Sequence, residues 1–270
     1  METVIKPKKS FSFDFRELWH FREIFYSLAL RDIKVRYKQT AIGILWAILQ
    51  PFLMMVVFSV FFGRVIGVSS GNIPYPIFAF TGLLFWNYFS SSLSSASNSL
   101  VSNQAIIQKI YFPRIIVPLS STVVYLLDFV FSAIIFAGLL IYYKFYPSLT
   151  GILLVIPALV ISFLASNGLG LFLASLNVKY RDVRHALPFF IQLLLFVTPV
   201  IYPVTILKNH QWLWYLNPMS GVVESIRGGF LNGGIVDWKL FGASAAISVV
   251  LFILGLVYFN KTEKYFADII

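Results

Sequence analysis

The sequence predicts an all-α polytopic membrane protein, and three observations support that fold class. Hydrophobic residues make up 59% of the 270 residues and charged residues only 12%, with a mean hydropathy of +0.82. A soluble domain averages about 45–50% apolar and about 25% charged residues, so this apolar excess is too large for one soluble core. Apolar runs of bilayer length recur along the chain, and the first of them follows a stretch rich in lysine and arginine.

The chain is predicted to enter the membrane near Ile42. The preceding stretch RDIKVRYK is rich in cations, and no charged residue then follows until Arg64. An uncharged helical run of about 23 residues is long enough to cross the hydrocarbon core. Because lysine and arginine collect on the cytoplasmic side, residues 1–40 are predicted to form a cytoplasmic tail and helix. Residues 41–270 are predicted to form one transmembrane domain.

Residues 14–38 are predicted to form an amphipathic helix that lies in the membrane interface. Leu18, Phe21, Phe25 and Leu28 recur at spacings of three and four, which places them on one helical face. A helix of this kind beside a transmembrane segment usually lies in the plane of the interface. The alternative is that its apolar face packs on a soluble partner.

Six transmembrane helices are predicted from the lengths of the apolar runs. They cover residues 42–64, 74–94, 115–142, 151–176, 186–206 and 240–260. With six spans and an inner N-terminus, 16 of the 21 lysines and arginines lie in inner segments, and both termini are cytoplasmic. The five cations left for the outer segments are Arg64, Lys144, Lys208, Arg227 and Lys239.

The last outer loop, about residues 207–239, is predicted to contain short helices that re-enter the outer face without spanning the membrane. Asn217–Pro218 is a helix-start signal, and Glu224 is spaced to pair with Arg227 on the next turn. Irregular backbone at that depth must be covered by protein or must line a watery cavity. The alternative is an ordinary folded surface loop.

The residues themselves offer little chemistry. The sequence has no G-x-x-x-x-G-K-[ST] phosphate loop, no cysteine, and no histidine and carboxylate cluster with metal-ligand spacing. Asp128 is the one ionisable residue predicted deep in a span. We interpret it as a structural hydrogen-bond partner of a serine, threonine or tyrosine on a neighbouring helix, and the alternative is a proton relay. Catalysis by this chain alone is not expected.

Five motifs in their order along the chain resemble one known family. They are RDIKVRYKQTAIGILWAILQP, KIYFPRIIVP, NVKYRDVRHALPFF, TPVIYP and LNPMSGVVESIR. This order resembles the membrane subunit of ABC-2-type exporters, specifically the O-antigen, capsule and teichoic-acid polysaccharide group, over nearly the whole chain. The resemblance implies a single ABC-2 type permease domain, residues 41–270, in the bacterial inner membrane. Its substrate would be a lipid-linked, O-antigen-like polysaccharide that is exported from the cytoplasm.

The resemblance also implies the partners of the chain. The permease would form a homodimer and would pair with two copies of a separate nucleotide-binding ATPase. ATP and magnesium would bind to that ATPase, so no cofactor is expected on this chain, in agreement with its missing phosphate loop. Membrane lipids are expected to surround the protein, and nucleic acid is not expected as a partner.

The resemblance further suggests roles for individual residues. Segments 97–111 and 178–187 match the family's coupling elements, and residues 217–231 match its outer gate helices. The residues assigned to ATPase coupling are Gln108, Lys109, Tyr180, Arg181, Asp182 and Arg184. The residues assigned to the outer gate are Asn217, Pro218, Glu224 and Arg227.

A substrate conduit is predicted between two copies of the chain, lined by aromatic side chains and by polar side chains near helix-distorting prolines. The residues assigned to it are Trp46, Gln50, Ser59, Phe196, Thr198 and Tyr202. The alternative is that each polar side chain bonds a carbonyl that proline frees within its own helix. The abundant aromatic residues, in the same way, either form a sugar path or are lipid-facing bulk.

Two other functions stay open from the sequence. One is a small-molecule or drug efflux permease of the same superfamily. The other is a membrane-embedded glycolipid-modifying enzyme, which would need paired acids or histidines near one membrane face. A neighbouring gene for an ATPase among glycosyltransferase genes would favour polysaccharide export over efflux.

Overall fold

The computed structural model describes residues 15–38, 44–68, 73–180, 182–204, 212–231 and 233–266. Every regular element within these ranges is helical, which confirms the predicted all-α class for them. The helices are α1 (Phe15–His20), α2 (Arg22–Lys38), α3 (Ile44–Phe58), α4 (Tyr75–Ser102), α5 (Gln104–Ile107), α6 (Ile116–Tyr142), α7 (Leu149–Lys179), α8 (Val183–Val197), α9 (Trp212–Leu216), α10 (Pro218–Leu231) and α11 (Trp238–Thr262). A π-helical segment, Ser59–Val65, continues α3, and a 3₁₀ turn, Glu263–Tyr265, follows α11.

Four helices in the described ranges are long and apolar enough to cross a bilayer: α3 with its π-helical extension, α6, α7 and α11. They match the predicted spans 42–64, 115–142, 151–176 and 240–260 to within a few residues. The other two predicted spans, 74–94 and 186–206, correspond to α4 and α8. Helix α4 is less apolar than the four, and α8 is shorter. The six-span count therefore stays a prediction.

Helix α4 lies at the centre of the bundle, where α3, α6, α7 and α10 pack around it. Most of its 28 residues are buried by these neighbours. Its polar side chains therefore face protein, and several bond to carbonyls of the same helix, as Thr81 Oγ1 does to Ile77 O at 2.7 Å. A helix that neighbouring helices shield from lipid does not need the apolar composition of a lipid-facing helix.

Helix α8 has 15 residues because the chain leaves helical geometry at Thr198, where ψ is 137°. Pro199 lacks the N–H that would continue the helix, and a residue before proline favours an extended conformation. The predicted span 186–206 is thus helical only as far as Val197. The described residues after it, 198–204, are irregular.

The long helices alternate in direction. Phe80 of α4 stacks on Phe136 of α6 at a centroid distance of 6.0 Å, and five residues later Phe85 meets Phe129 at 5.1 Å, so α4 and α6 are antiparallel. A short loop returns the chain from α6 into α7. Following the predicted orientation, we call the end of the bundle where α4 begins and α6 ends the outer end. The opposite end is the inner end.

Glycines allow the closest helix contact of the bundle. A Cβ added to Gly255 of α11 would lie 2.1 Å from the carbonyl oxygen of Gly168 on α7. Small residues at helix crossings let two backbones approach, which is a common source of stability in membranes. Helices α7 and α11 are accordingly held by backbone packing along this crossing.

The N-terminal helix differs in two ways from the prediction for residues 14–38. It is divided at Phe21 into α1 and α2, and its apolar stripe packs on the protein's own inner end. The stripe contacts a cluster that includes Leu100, Phe259 and Phe266. Trp19 and Tyr26, which lie outside the stripe, are 69% and 60% exposed. The apolar stripe is therefore a packing face within the protein, while an amphipathic helix in the membrane interface stays a prediction.

Candidate functional site

Arg227 is the most fully buried cation among the described residues, at 2% exposure. Its guanidinium donates to the main-chain oxygens of Pro199 at 2.5 Å, Val200, Phe78 at 3.3 Å and, more weakly, Tyr202 at 3.4 Å. The same group lies 3.7 Å from the centroid of the Phe78 ring. We call Arg227 and these four acceptor residues the Arg227 cluster. The cluster joins α10 to the start of α4 and to the irregular segment after α8.

The Arg227 cluster provides hydrogen-bond donors for backbone carbonyls next to the position where Pro199 ends α8. The irregular segment after α8 has carbonyls without a helical N–H donor, and inside a membrane protein such carbonyls need other donors because lipid offers none. The planar guanidinium carries five donors in a fixed geometry and can satisfy several carbonyls at once. Gly82 makes room for it, since a Cβ at that position would lie 2.7 Å from Arg227 Nη2.

A second network extends the same contact. Thr198 Oγ1 donates to Leu194 O at 2.7 Å and accepts from Asn217 Nδ2 at 2.9 Å. Asn217 Oδ1 accepts from the backbone N–H of Met219 at 2.9 Å, and α10 begins at Pro218, which confirms the predicted helix start. Asn217 therefore begins α10 and also ties it to the end of α8.

The outer gate residues are thus brought together at the outer end, with one difference from the prediction. Glu224 and Arg227 form no hydrogen bond within the described residues; the guanidinium is directed to main-chain carbonyls instead. Glu224 Oε2 is buried and has no hydrogen-bond partner in that part of the chain. Burial raises the pKa of the Glu224 carboxyl above its usual value, although the nearby Arg227 opposes that shift.

Asp128, in the middle of α6, binds two side chains from the end of α2. Arg36 Nη2 lies 2.6 Å from Asp128 Oδ2, and the Tyr37 hydroxyl donates to Asp128 Oδ1. The Arg36 guanidinium also lies 4.8 Å from the centroid of the Tyr125 ring. We call these four residues the Asp128 cluster. The predicted tyrosine partner is present, and Arg36, which was predicted to lie in the cation-rich cytoplasmic stretch, is a second partner that was not predicted.

The surroundings of the Asp128 cluster bear on the choice between a structural contact and a relay of acids. The cleft beside it is lined by Gln50, Asn87, Ser91 and Ser132, among others, and no second carboxylate or histidine of the described residues lines it. Burial and the hydrogen bond to Asp128 raise the pKa of Tyr37, which keeps that phenol protonated as a donor. The interpretation of Asp128 as a structural partner is therefore favoured.

The six residues predicted to line the conduit do not share one environment. Trp46 and Phe196 are 52% and 51% exposed, and Gln50 is also exposed. Ser59 is half-buried, and its hydroxyl has no partner among the described residues. Tyr202 is half-buried and donates to Phe196 O at 2.5 Å.

Thr198 corrects the conduit prediction. Its side chain is completely buried and donates to Leu194 O within its own helix, a carbonyl that also accepts from the backbone N–H of Thr198. It cannot line a wet path in this conformation, because both its donor and its acceptor capacity are used inside the protein. Its role is to hold the end of α8 to Asn217.

The coupling residues lie on an exposed face at the inner end. Gln108 and Lys109 follow α5, whereas Tyr180, Asp182 and Arg184 lie between α7 and α8, and all five are exposed. Arg181 lies outside the described residues. Asn177 Nδ2 donates to Ser97 O and to Asn98 Oδ1, both at 3.1 Å, which ties the inner ends of α7 and α4 together. Both predicted coupling elements therefore meet at the same end of the bundle.

Two inner contacts were not foreseen from the sequence. Arg31 Nη2 donates to Asn103 Oδ1 at 2.6 Å, which joins α2 to the end of α4. The backbone N–H of Arg114 donates to Glu263 Oε1 at 3.1 Å, and its guanidinium donates to Glu263 O at 2.8 Å. These contacts connect the coupling face to the first and last helices, and no local pattern in the sequence indicates them.

Comparison with known proteins gives consistent matches along nearly the whole chain. A family model described as ABC-2 type transporter matches residues 23–231. The O-antigen export system permease protein RfbA of Klebsiella pneumoniae is 31% identical over 242 residues, covering 89% of this chain and 92% of that protein. The protein of the same name from Myxococcus xanthus is 32% identical over 257 residues, with coverages of 94% and 97%. The polysialic acid transport protein KpsM of Escherichia coli is 24% identical over 243 residues, with coverages of 88% and 93%.

Proposed function

Because this chain belongs to the ABC-2 type transporter family, we propose that it is the membrane subunit of an ATP-driven polysaccharide exporter. The observation that carries the proposal is its full-length similarity to two O-antigen export permeases, each with at least 31% identity. The similarity to a polysialic acid transport protein points to the same substrate class. The substrate is an O-antigen-like polysaccharide, carried on a lipid and passed from the cytoplasm to the outer side of the inner membrane.

Direct reconstitution tests this function. The purified chain and its ATPase, placed in lipid vesicles, are expected to hydrolyse ATP faster when a lipid-linked polysaccharide is added, and to move its glycan across the bilayer. Small hydrophobic cations test the alternative of drug efflux. If they stimulate hydrolysis and the polysaccharide does not, the export proposal is wrong.

The proposed topology has six membrane passages with both termini in the cytoplasm. Two features support α8 as a passage even though its helix is short. Tyr75 Oη donates to Ile201 O at 2.7 Å, which brings the segment after α8 to the start of α4 at the outer end. Tyr180 directly follows the inner end of α7, and Asp182 directly precedes the start of α8 at Val183. The chain thus travels from one end of the bundle to the other between Tyr180 and Ile201.

The exposed inner face is the proposed docking site of the ATPase, and the proposed homodimer would bind two ATPase copies through its two inner faces. Replacing Asp182 separates ATPase docking from the alternative that this segment only orients the chain in the membrane through its basic residues. An acidic residue contributes little to that orientation. We expect Asp182→Ala to weaken association with the ATPase by roughly fivefold, because charges at a junction steer and orient docking. Co-purification and polysaccharide-stimulated hydrolysis measure the effect.

The matched control for that change is Glu23→Ala. Glu23 is an exposed acid of α2 that lies outside the assigned coupling elements. Wild-type association in Glu23→Ala and reduced association in Asp182→Ala are expected together. Equal association in both variants would remove Asp182 from the docking site.

The proposed conduit lies between two copies of the chain, along the exposed faces of α3 and α8. Trp46, Gln50 and Phe196 are exposed in the single chain, so a second copy can face them across a groove. Cysteines at these three positions are expected to react with a water-soluble thiol reagent and to be protected by stalled polysaccharide. The native chain contains no cysteine, so the background is low.

Two kinds of control accompany the labelling. A cysteine at Thr198 is expected to stay unreactive, because that side chain is completely buried. Cysteines at Ile134 and Ile156, which are 64% and 72% exposed on α6 and α7, report on lipid-facing surface. If the three conduit positions label no faster than Ile134 and Ile156, the path does not run along α3 and α8.

A further inference from the structure

The outer half of α3 borders a groove that lies away from the coupling face and shares only Ser59 with the residues predicted to line the conduit. Its walls are the π-helical segment Ser59–Val65, the start of α4 at Tyr75 and Pro76, and the end of α6 from Leu139 to Tyr143. It encloses about 480 Å³, within the range of about 300–1,000 Å³ that is typical of ligand pockets. We call it the outer groove.

The walls of the outer groove are mostly hydrocarbon. Phe52, Met55, Val56 and Val60 of α3 and its extension face Leu139 of α6. An α-helix would rise about 18 Å from Phe52 to Arg64, and the wider π-helical part shortens this length toward the roughly 15 Å of hydrocarbon in one leaflet. The groove therefore has the length and the lining that suit one extended acyl chain.

The mouth of the groove is cationic and aromatic. Arg64 is exposed there and makes no ion pair with an acid of the described residues. Tyr142 and Tyr143 are exposed beside it, where tyrosine hydroxyls typically meet lipid headgroups. A cation on the outer side runs against the usual preference of lysine and arginine for the cytoplasmic side, so a negative group is the natural partner of Arg64.

The local helix geometry places Arg64 at this position. Seven consecutive residues in π-helical geometry are rare, and such segments are often found at functional sites. Gly63 belongs to the segment, and a Cβ there would lie 2.9 Å from the Tyr75 ring. Glycine thus lets the π-helical segment pack on Tyr75, and this packing forms one end of the groove.

We propose that the outer groove binds an anionic glycerophospholipid of the outer leaflet, with one acyl chain in the groove and its phosphate on Arg64. The lipid packs on Tyr75, whose hydroxyl bonds Ile201 O in the segment that also contacts Arg227. A bound lipid therefore braces the outer end of the bundle. This role is separate from ATPase docking and from the passage of polysaccharide.

Native mass spectrometry of the full chain tests the proposal with two lipids of identical acyl chains, phosphatidylglycerol and phosphatidylcholine. The wild type is expected to retain phosphatidylglycerol preferentially. Arg64→Gln is expected to lose about fivefold in phosphatidylglycerol retention, the usual effect of one cation near a membrane surface. Ser59→Phe, which fills the floor of the groove, is expected to lower retention of both lipids.

Lys239→Gln is the matched control, because Lys239 is another exposed cation of the outer side. It is expected to keep wild-type retention, and phosphatidylglycerol is expected to raise the unfolding temperature of the wild type and of Lys239→Gln but not of Arg64→Gln. Wild-type retention in Arg64→Gln, or an equal loss in Lys239→Gln, would overturn the proposal. Preferential retention of a polyprenyl phosphate over phosphatidylglycerol would assign the groove to a different lipid and would also overturn it.

A photoactivatable acyl chain locates the bound lipid. Cross-links are expected on residues 52–63 of the wild type and are expected to fall in Ser59→Phe. Cross-links confined to the exposed face of α7, at Ile152 and Ile156, would show that the lipid binds elsewhere.

Discussion

Arg227→Met is expected to lower the free energy of unfolding by about 3–5 kcal/mol and to abolish export, because breaking a fully buried charged contact leaves its partners without donors. The change removes the donors to the carbonyls of Phe78, Pro199 and Val200, all of which are buried where water cannot easily replace them. Arg227→Lys is expected to recover only part of the loss, since one ammonium group cannot reach all of these oxygens in the same geometry. Denaturant titration in mixed micelles measures the stability, and vesicle transport measures export.

Lys239→Met controls for the loss of one outer cation. Lys239 is exposed and its side chain has no contact with the carbonyls of the Arg227 cluster, so its replacement is expected to change stability by less than about 0.5 kcal/mol. Gly82→Ala tests the same cluster from the other side, since the added methyl group would meet the guanidinium. If Arg227→Met unfolds at the wild-type denaturant concentration and still transports, the carbonyls do not depend on this side chain.

Asp128→Ala is expected to destabilise the protein by about 1–3 kcal/mol, because it leaves the Arg36 charge without its carboxylate partner. The two side chains are 18% and 35% exposed, so partial solvent screening keeps the effect below that of a fully buried pair. Arg36→Met is expected to cost a similar amount, and the double variant is expected to cost less than the sum. The coupling energy from this double-mutant cycle should be about 1–2 kcal/mol.

Asp32→Ala is the control for the Asp128 cycle. Asp32 pairs with Arg31, its neighbour in sequence, at 2.7 Å on a partly exposed part of α2. Exposed pairs contribute about 0–1 kcal/mol, so this change is expected to have little effect. Strict additivity of Asp128→Ala and Arg36→Met would mean that α2 and α6 are not joined by this ion pair.

Local patterns were sufficient for much of the architecture. The lengths of the apolar runs located α3, α6, α7 and α11, because a lipid-facing helix must be apolar along its own sequence. The dipeptide Asn217–Pro218 located the start of α10, since helix starts depend on adjacent residues. The periodicity of the N-terminal stripe located a packing face for the same reason.

Helices α4 and α8 show where such patterns stop being informative. The burial of α4 comes from the helices around it, and its sequence gives no indication of how completely they cover it. The length of α8 depends on Thr198 and Pro199, and its predicted span continued past them because the apolar run continues. Hydropathy indicates whether a segment could be exposed to lipid. It does not indicate whether lipid or another helix surrounds that segment in the fold.

For the candidate site residues as well, some properties could be predicted from the sequence and others depended on the tertiary structure. Exposure at the inner end was expected for Lys109 and Asp182 from charge alone, and the structure agrees for both. The carbonyl partners of Arg227 and the Arg36 partner of Asp128 could not be expected, because Pro199 and Arg36 lie 28 and 92 residues away along the chain. Gln50 and Thr198 looked alike as polar residues before prolines, yet one is exposed and the other is completely buried.

Composition, charge distribution and helical periodicity identified an all-helical membrane protein, its apolar helices and a basic side that is predicted to face the cytoplasm. These properties depend on how each segment meets water and lipid, and each segment carries that information in its own residues. Helix packing decided which polar groups are used inside the protein. Arg227 became a donor to the segment after α8 and Asp128 became the partner of α2, because a buried polar group must find its partner wherever the fold brings one within hydrogen-bond distance.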